Sequence, residues 1–345
     1  MLPKIRTTLF RVLGPLCVLA VSGSAAWGAN IFVTEMDLLS TVTQQGAVTS
    51  RGDFQLALDG GYKYRGELQF RYLNTDLEGT DQELRFYAAR AELNDLAGSL
   101  DLVYWTGYFG TLGEGKHYAG PFYHYGGAFE YTGYYPLHGT GMALSWDVGM
   151  RGRVQTLVYQ RKGSGTINSA DLNLFLQGDA LNFSLFTGVT EQVYRVGAQL
   201  QYLSDAARFY ITAGHPAIEE GTTFAYDDLF VLIEQWFTVG SLNQVISVFS
   251  RPRVHYNPLL EDYVDTGARD DLDIHFDMYV SPPERSYLAG AEANLLLSGG
   301  NTTLLLSPHT EFFAGGVVWR MKLDFRILGE DRDFFTALLN VRTSF

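Results

Sequence analysis

The sequence has almost no cysteine. Its 345 residues include one, Cys17, which lies in an N-terminal segment that we expect to be removed from the mature chain. With no second cysteine, the chain can form no intramolecular disulfide and no cysteine-based metal site. A mature chain without thiols is also suited to an oxidising compartment, where free cysteines mispair.

Long apolar runs are missing beyond the N-terminal segment. Runs such as 229–233 span a few residues, whereas a membrane-spanning helix needs about 20. An exported chain without a helical anchor is either soluble or crosses a membrane as a closed β-barrel.

Basic residues are also few, with 25 Lys+Arg against 38 Asp+Glu and a net charge of −13. This charge disfavours binding to phosphates, so we expect no nucleic-acid partner.

The first 28 residues have the parts of a secretory signal peptide. Lys4, Arg6 and Arg11 precede an apolar run over 12–20, and small residues fill positions 22–26. Ala26 and Gly28 place small residues at positions −3 and −1 of a signal-peptide cleavage site before residue 29. We therefore predict a signal peptide over 1–28 and export of the remaining chain.

Alternation of apolar and polar residues is the main pattern of the exported part. In 317–327, six odd-numbered residues are apolar and four of the five even-numbered residues are charged. Side chains in a β-strand point alternately to opposite faces, so this segment predicts a strand with one apolar and one wet face. The same alternation recurs at 63–72, 142–149, 181–189, 194–202 and 272–280.

Turn signals separate these predicted strands. Short ones lie at 59–61, 177–179, 204–205 and 298–301, and longer polar stretches lie at 74–82, 161–170 and 251–271. Short turns that alternate with long loops are typical of transmembrane β-barrels. We predict an all-β fold, a closed antiparallel transmembrane β-barrel over 47–345 with about 16 strands, within a range of roughly 12 to 18. Residues 29–46 lack clean alternation, which predicts a short periplasmic extension or plug.

The last strand carries a family resemblance. Phe335, Ala337, Leu339, Val341 and Thr343 alternate with other residues, and the chain ends on Phe345. This ending resembles the C-terminal signature of Gram-negative outer-membrane β-barrel proteins. The resemblance leads us to expect a porin-like architecture for this chain. The resemblance implies a location in the outer membrane, contact with its lipid, and recognition of the last strand by the barrel-assembly machinery.

Charged residues on the predicted inner faces suggest a pore. In a closed barrel the first and last strands are neighbours, so basic residues near both ends of the chain should share one wall. We predict pore-lining roles for seven basic residues and two acids: Lys63, Arg65, Arg71, Arg320, Lys322, Arg326, Arg342, Asp273 and Asp277. Opposed charges of this kind orient polar solutes. The sequence thus predicts a porin-like channel for passive diffusion of small polar solutes, with no catalytic residue and no cofactor.

Two other functions remain open at this stage. Asp273 and His275 fall on one face and resemble half of the Asp/His site of omptin-type barrel proteases, although we find no acidic pair on another strand. A weak metal site with Asp277 is a further possibility for the same residues. The other function is a closed structural or adhesive barrel, in which the charges pair within a plugged lumen and the loops bind a partner outside the barrel.

The aromatic-rich segment 118–135 could stack sugars, form an interfacial girdle or belong to a loop that folds inward.

Overall fold

The computed structural model describes residues 30–59, 61–74, 82–96, 98–114, 133–221, 224–257, 262–267, 271–281, 287–329 and 334–344. The signal-peptide prediction and Phe345 lie outside these residues. The first strands are β1 Asn30–Thr43, β2 Val48–Asp59, β3 Tyr64–Asn74, β4 Gln82–Leu96, β5 Leu100–Leu112, β6 Tyr135–Val148, β7 Gly152–Arg161, β8 Ser169–Gln177, β9 Leu181–Thr190 and β10 Val193–Leu203. They are followed by β11 Ala207–Glu219, β12 Phe230–Val239, β13 Leu242–Ser250, β14 Val254–Asn257, β15 Asp262–Asp265, β16 Asp271–Val280, β17 Tyr287–Ser298, β18 Asn301–Ala314, β19 Val317–Leu328 and β20 Phe335–Ser344.

Eighteen of these strands form one closed antiparallel sheet. Each strand from β1 to β13 pairs with the next, β13 pairs with β16, and the order continues to β20. Strand β1 also pairs with β20, from Glu35 opposite Ser344 to Thr43 opposite Thr336, and this pairing closes the barrel. Strands β14 and β15 form a separate hairpin inside the β13–β16 connection. The predicted closed barrel is confirmed, with 18 strands instead of about 16.

Strand β1 corrects the prediction for 29–46. An extension or plug was expected there because the segment does not alternate cleanly, but Asn30–Thr43 is a barrel strand hydrogen-bonded on both sides. Its register against β2 shifts between Val33 and Glu35, and the Thr34 hydroxyl donates to the Gln55 carbonyl at 3.3 Å. A β-bulge of this kind inserts one residue and reverses the alternation of side chains. The bulge explains why the period-two signal fails in this segment.

The two ends of the barrel differ in their connections. At the end where β1 begins and β20 finishes, which we call the turn end, the connections are 60–63, 97–99, 149–151, 178–180, 204–206, 240–241, 281–286 and 315–316. At the opposite end, which we call the loop end, lie the long connections 113–134, 220–229 and 251–270. Outer-membrane barrels place short turns on the periplasmic side and long loops outside. No described segment is a helix long and apolar enough to span a membrane.

The two faces of the sheet have opposite character. On β19, Lys322 and Asp324 are buried, whereas the alternating Trp319, Met321 and Leu323 are 39–44% exposed. Large apolar side chains are also exposed on other strands, for example Leu185 on β9 and Met278 on β16. An apolar outer belt around a polar interior is the arrangement of transmembrane β-barrels, because lipid contacts the outside. The eighteen barrel strands have 9 to 15 residues, which is enough to cross a bilayer.

The largest buried apolar cluster lies on the inward face of β5 to β13. We call it the aromatic cluster, and its residues are Trp105, Leu112, Tyr134, Tyr135, Leu137, Ala143, Leu157, Tyr159, Phe186, Phe230, Leu232 and Phe249. Trp105 of β5 packs on Tyr159 of β7 with ring centroids 5.7 Å apart. Phe230 and Phe249 meet at 5.5 Å in an edge-to-face contact. The core of this protein therefore lies inside the barrel, next to a charged wall.

Candidate pore interior

A buried charged cluster occupies the inward wall formed by β16 to β19. Asp277 on β16 is paired in register with Glu292 on β17, so their side chains lie side by side. The Lys322 ammonium donates a hydrogen bond to Glu292 and lies 3.6 Å from Asp324. His309 Nε2 lies 2.8 Å from Asp277 Oδ1. The structure thus brings together Asp277, Glu292 and Lys322, which the alternation placed on the inner face, with His309, which it did not single out.

The predicted Asp273/His275 pair belongs to this same wall. Asp273 accepts a hydrogen bond from Asn294 Nδ2 at 2.7 Å, and His275 Nε2 lies 3.4 Å from Glu292 Oε2. His275 is 1% exposed and Asp273 5% exposed. A catalytic pair must reach a substrate atom, and these side chains are packed into the wall instead. The geometry gives no support to the omptin-like alternative beyond placing both residues on one face.

The predicted basic wall is interrupted by acidic residues. Strands β1 and β2 stand between β20 and β3, and they carry Glu35 and Asp53 on the face that the basic residues share. Arg342 Nη2 lies 2.5 Å from Glu35 Oε1, and Arg71 Nε lies 2.7 Å from Asp53 Oδ1. Because 29–46 was not recognised as a strand, the basic residues of β3 were expected beside those of β19 and β20. Glu35 on β1 and Asp53 on β2 pair with Arg342 and Arg71 instead.

The remaining predicted pore residues have different positions. Lys63 lies exposed in the turn before β3, and Arg65 is exposed near the turn end, opposite Glu92 of β4 in register. Arg320 is half-buried and donates to Glu311 of the neighbouring β18. Arg326 is half-buried near the loop end of β19. The described cations are therefore spread along the height of the wall, and several have an acidic partner.

A second polar network, which sequence reasoning missed, joins β7, β8 and β10. The Arg195 guanidinium binds Asp171 through Nε to Oδ1 at 2.7 Å and through Nη2 to Oδ2 at 2.6 Å. The Tyr159 hydroxyl donates to Asp171 at 2.9 Å, and Arg195 Nη1 donates to the Thr190 hydroxyl at 2.8 Å. Alternation placed Arg195 on the polar face of its strand. No spacing in the sequence pairs it with Asp171, because a whole strand separates the two.

The network supports the aromatic cluster. The Arg195 guanidinium carbon lies 4.1 Å from the centroid of the Tyr135 ring, a cation–π contact, and both side chains are almost fully buried. Tyr159 belongs to the network through its hydroxyl and to the aromatic cluster through its ring. A buried charge pair is tolerated only when its hydrogen-bonding groups are satisfied, which is the case here. The inner wall is therefore rigid at this point.

Two loop-end connections turn inward. At the end of connection 113–134, Tyr134 packs on Phe186 and Phe230, with ring centroids 5.3 and 5.8 Å away, and its hydroxyl donates to the His215 carbonyl at 2.9 Å. Burial raises the pKa of the Tyr134 hydroxyl, so it stays a donor. Residues 118–131 of the aromatic-rich segment lie outside the described part of the chain. Tyr134 and Tyr135 support the folded-in interpretation for its end.

The β14–β15 hairpin is the second inward feature. Tyr263 of β15 packs against the aromatic cluster, and the Arg161 guanidinium lies 5.6 Å from its ring centroid. Arg253, just before β14, contacts Asp228 at 3.1 Å and also binds Asp265. The Gly267 amide and the Arg253 guanidinium hold the pKa of Asp265 below its usual value. The hairpin is thus fixed over the interior at the loop end.

A cavity of about 600 Å³ lies inside the barrel near the turn end. Its lining includes Arg208, Trp236, Asn243, Tyr279 and Phe313, which share the inward face of β11, β12, β13, β16 and β18. Trp236 and Tyr279 meet edge-to-face at 6.4 Å, and Tyr279 also contacts His309 at 6.4 Å. Tyr279 therefore separates the cavity from His309 of the charged cluster.

Comparisons with solved structures agree with this fold. The outer membrane protein OpdK of Pseudomonas aeruginosa has 9% identity and a TM-score of 0.57, over 92% of this chain and 99% of that chain. OccK10 (OpdN) of the same organism has 9% identity and a TM-score of 0.58 over the same shares. Wzi of Escherichia coli, described as a carbohydrate-binding β-barrel involved in group 1 capsule assembly, has 9% identity and a TM-score of 0.57, over 99% of this chain and 88% of that chain.

These neighbours define the class of the protein. The chain has the fold of an outer-membrane, porin-like β-barrel. At such low identity the likeness concerns the fold and carries no assignment of solute or ligand. No protein-family model matches the sequence, and no curated protein matches it either.

Proposed function

We propose that this protein is an outer-membrane, porin-like channel for passive diffusion of small polar solutes. One observation carries the proposal: a sheet closed by β1 and β20 turns ionised side chains inward and apolar side chains outward. A polar interior within an apolar belt suits a water-filled path through lipid. The 1–28 segment would direct export, and the last strand would engage the barrel-assembly machinery.

Selectivity in this channel comes from the charged wall. Arg320, Lys322 and Arg342 each face an acidic partner, so the wall presents local dipoles rather than a uniform field. Such paired charges favour polar over apolar solutes and discriminate weakly between small anions and cations. Under this function Asp273 and Asp277 set the polarity of the wall, and no residue acts as a catalyst.

Single-channel recording tests the channel. Refolded protein without residues 1–28 is added to a planar lipid bilayer, and folding is verified by a heat-modifiable band in electrophoresis. We expect discrete conductance steps with a small reversal potential under a salt gradient. A folded barrel that gives no steps would contradict the proposal.

A closed barrel that acts through its loops is the second candidate. It is favoured by a specific observation, the aromatic cluster with Tyr134 and Tyr263 packed inside the barrel. Wzi, a barrel with a similar fold, is described as carbohydrate-binding. If the folded protein is silent in the bilayer but retains soluble oligosaccharides on a column, this candidate replaces the channel.

A further inference from the structure

The charged cluster on β16 to β18 contains a set of metal-ligating atoms. One carboxylate oxygen each from Asp277 and Glu292 and one ring nitrogen from His309 lie within 4.8 Å of one another. These three residues come from three neighbouring strands, and all are largely buried. We propose that Asp277, Glu292 and His309 form a binding site for a divalent cation of the zinc type on the inner wall of the barrel.

The distances suit a small tetrahedral ion. Ligand atoms about 2.0 Å from a tetrahedral zinc lie about 3.3 Å from each other. His309 Nε2 and Asp277 Oδ1 are 2.8 Å apart, and His275 Nε2 and Glu292 Oε2 are 3.4 Å apart. His275 contacts Glu292 but does not belong to the set of three ligand atoms. One imidazole with two carboxylates is a donor set that zinc accepts, whereas calcium and magnesium prefer oxygen alone.

The backbone leaves room for this arrangement at one position. His309 on β18 is opposite Gly290 on β17 in register, Gly290 is opposite Tyr279 on β16, and Asp277 lies two residues before Tyr279 on that strand. A Cβ atom on Gly290 would lie 2.8 Å from His309 Nε2. The absence of a side chain at residue 290 therefore lets the imidazole cross β17 and reach the carboxylate of Asp277.

The local charge balance also favours a cation. Glu292 and Asp324 share the single ammonium of Lys322, while Asp277 faces an imidazole, which carries no permanent charge. Carboxylates removed from water need compensation by protons, cations or metal ions. Lys322 supplies part of that compensation and also competes with a metal ion, because its ammonium binds the Glu292 oxygen that the ion would use. Removing the ammonium should strengthen metal binding.

The route to the site is the cavity at the turn end. Tyr279 lines that cavity and contacts the His309 ring, so an ion from the turn-end side meets His309 first. A metal site requires such an entry path as well as its ligands. Tyr279 thus stands between the cavity and His309 of the site.

Zinc titration of the folded full barrel in detergent, after treatment with a chelator, tests the site. Calorimetry should show one saturable zinc ion per chain, and Co²⁺ should give the visible absorption bands of a tetrahedral nitrogen–oxygen complex. His309→Ala should weaken binding by about tenfold or more. The matched control is His215→Ala, another buried histidine, which lies on β11 with Nε2 3.9 Å from Asp228 and should bind zinc as the original chain does.

Lys322→Met separates a metal site from a network of ion pairs. If the cluster binds zinc, this variant should bind it more tightly than the original chain. Absence of saturable binding in both the original chain and Lys322→Met would overturn the proposal, as would equal zinc affinity in His309→Ala and the original chain. The binding assay needs no channel activity, so its result is independent of the conductance experiment.

Discussion

Arg195 and Asp171 form a two-point ion pair across the strand that separates them. They lie on β10 and β8, and both side chains are 0% exposed. Between them, on β9, is Gly188, where a Cβ atom would lie 2.0 Å from Asp171 Oδ1 and 2.8 Å from Arg195 Nε. The two side chains therefore meet directly over the glycine. This arrangement connects the stability of the inner wall to three specific residues.

Truncation of Arg195 should destabilise the barrel strongly. Arg195→Ala leaves the Asp171 carboxylate buried without its cation, which typically costs about 3–5 kcal/mol. Urea unfolding in detergent micelles, followed by loss of the heat-modifiable band, measures the effect. The control is Arg151→Ala, whose arginine is 62% exposed and pairs with the 89% exposed Asp179. A solvent-exposed pair of that kind contributes about 0–1 kcal/mol. Equal stability of the two variants would contradict the role assigned to Arg195.

Gly188 should resist even the smallest substitution. In Gly188→Ala the added methyl group occupies the space of the Asp171 carboxylate, so the ion pair must shift, at a cost of about 1–3 kcal/mol. Gly165→Ala is the matched control, because a Cβ atom there meets nothing within 4 Å. Unfolding midpoints of the two variants provide the comparison. If Gly188→Ala unfolds at the same urea concentration as Gly165→Ala, Gly188 is not required for the ion pair.

Deletion of residues 30–43 should abolish the barrel. Strand β1 hydrogen-bonds to both β2 and β20, so its loss leaves two unpaired edges in lipid, where backbone groups have no water to bind. We expect no heat-modifiable band from this variant, whereas protein that lacks only residues 1–28 should fold. A plug would behave in the opposite way: its deletion would leave a folded barrel with larger conductance.

Removal of the β14–β15 hairpin should widen the path at the loop end. Replacing residues 254–265 by a short glycine–serine turn removes Tyr263 from the aromatic cluster. We expect larger single-channel steps, and Tyr263→Ala should give part of that increase. Ile167→Ala, at a residue 72% exposed in another loop-end connection, serves as control. Unchanged step size without the hairpin would place the narrowest part of the path elsewhere.

Charge reversal on β19 should change ion selectivity. Arg320→Glu combined with Lys322→Glu replaces two inward cations by anions beside Glu311 and Glu292. The resulting negative wall should shift the reversal potential under a salt gradient toward cation selectivity. Arg151→Glu changes an arginine that is 62% exposed and lies in a turn outside the barrel wall. The same shift in both variants would mean that the wall residues do not set selectivity.

The alternation of apolar and polar residues predicted the architecture because the regular strands of the barrel repeat it, with one apolar face and one polar face. Strands β3, β16 and β19 lie where the pattern placed them, with inward Arg71, Asp277 and Lys322. The pattern failed where the backbone departs from regular pairing. The bulge after Val33 concealed β1, and the β14–β15 hairpin lies within a stretch that reads as polar loop. The concealed β1 accounts for one of the two strands by which the expected count of about 16 falls short of 18.

The candidate site was predictable only in part. Sequence alternation identifies which residues face inward, so Asp273, Asp277 and Lys322 could be named in advance. It does not identify partners across strands, because register depends on turn lengths and bulges. Glu292 beside Lys322, His309 beside Asp277 and Asp171 beside Arg195 all follow from that register. For the same reason the basic wall was predicted without the acids of β1 and β2.

The seam between β1 and β20 has a consequence for biogenesis. Asn340 on β20 donates a hydrogen bond to Asp37 on β1, although 303 positions separate them in sequence. Every shorter product of synthesis or proteolysis that lacks the final strand keeps a row of unpaired backbone groups along β1 and along its last strand. Such edges recruit other chains and aggregate. A chain without its final strand therefore keeps two open sheet edges, and only the complete polypeptide removes both of them.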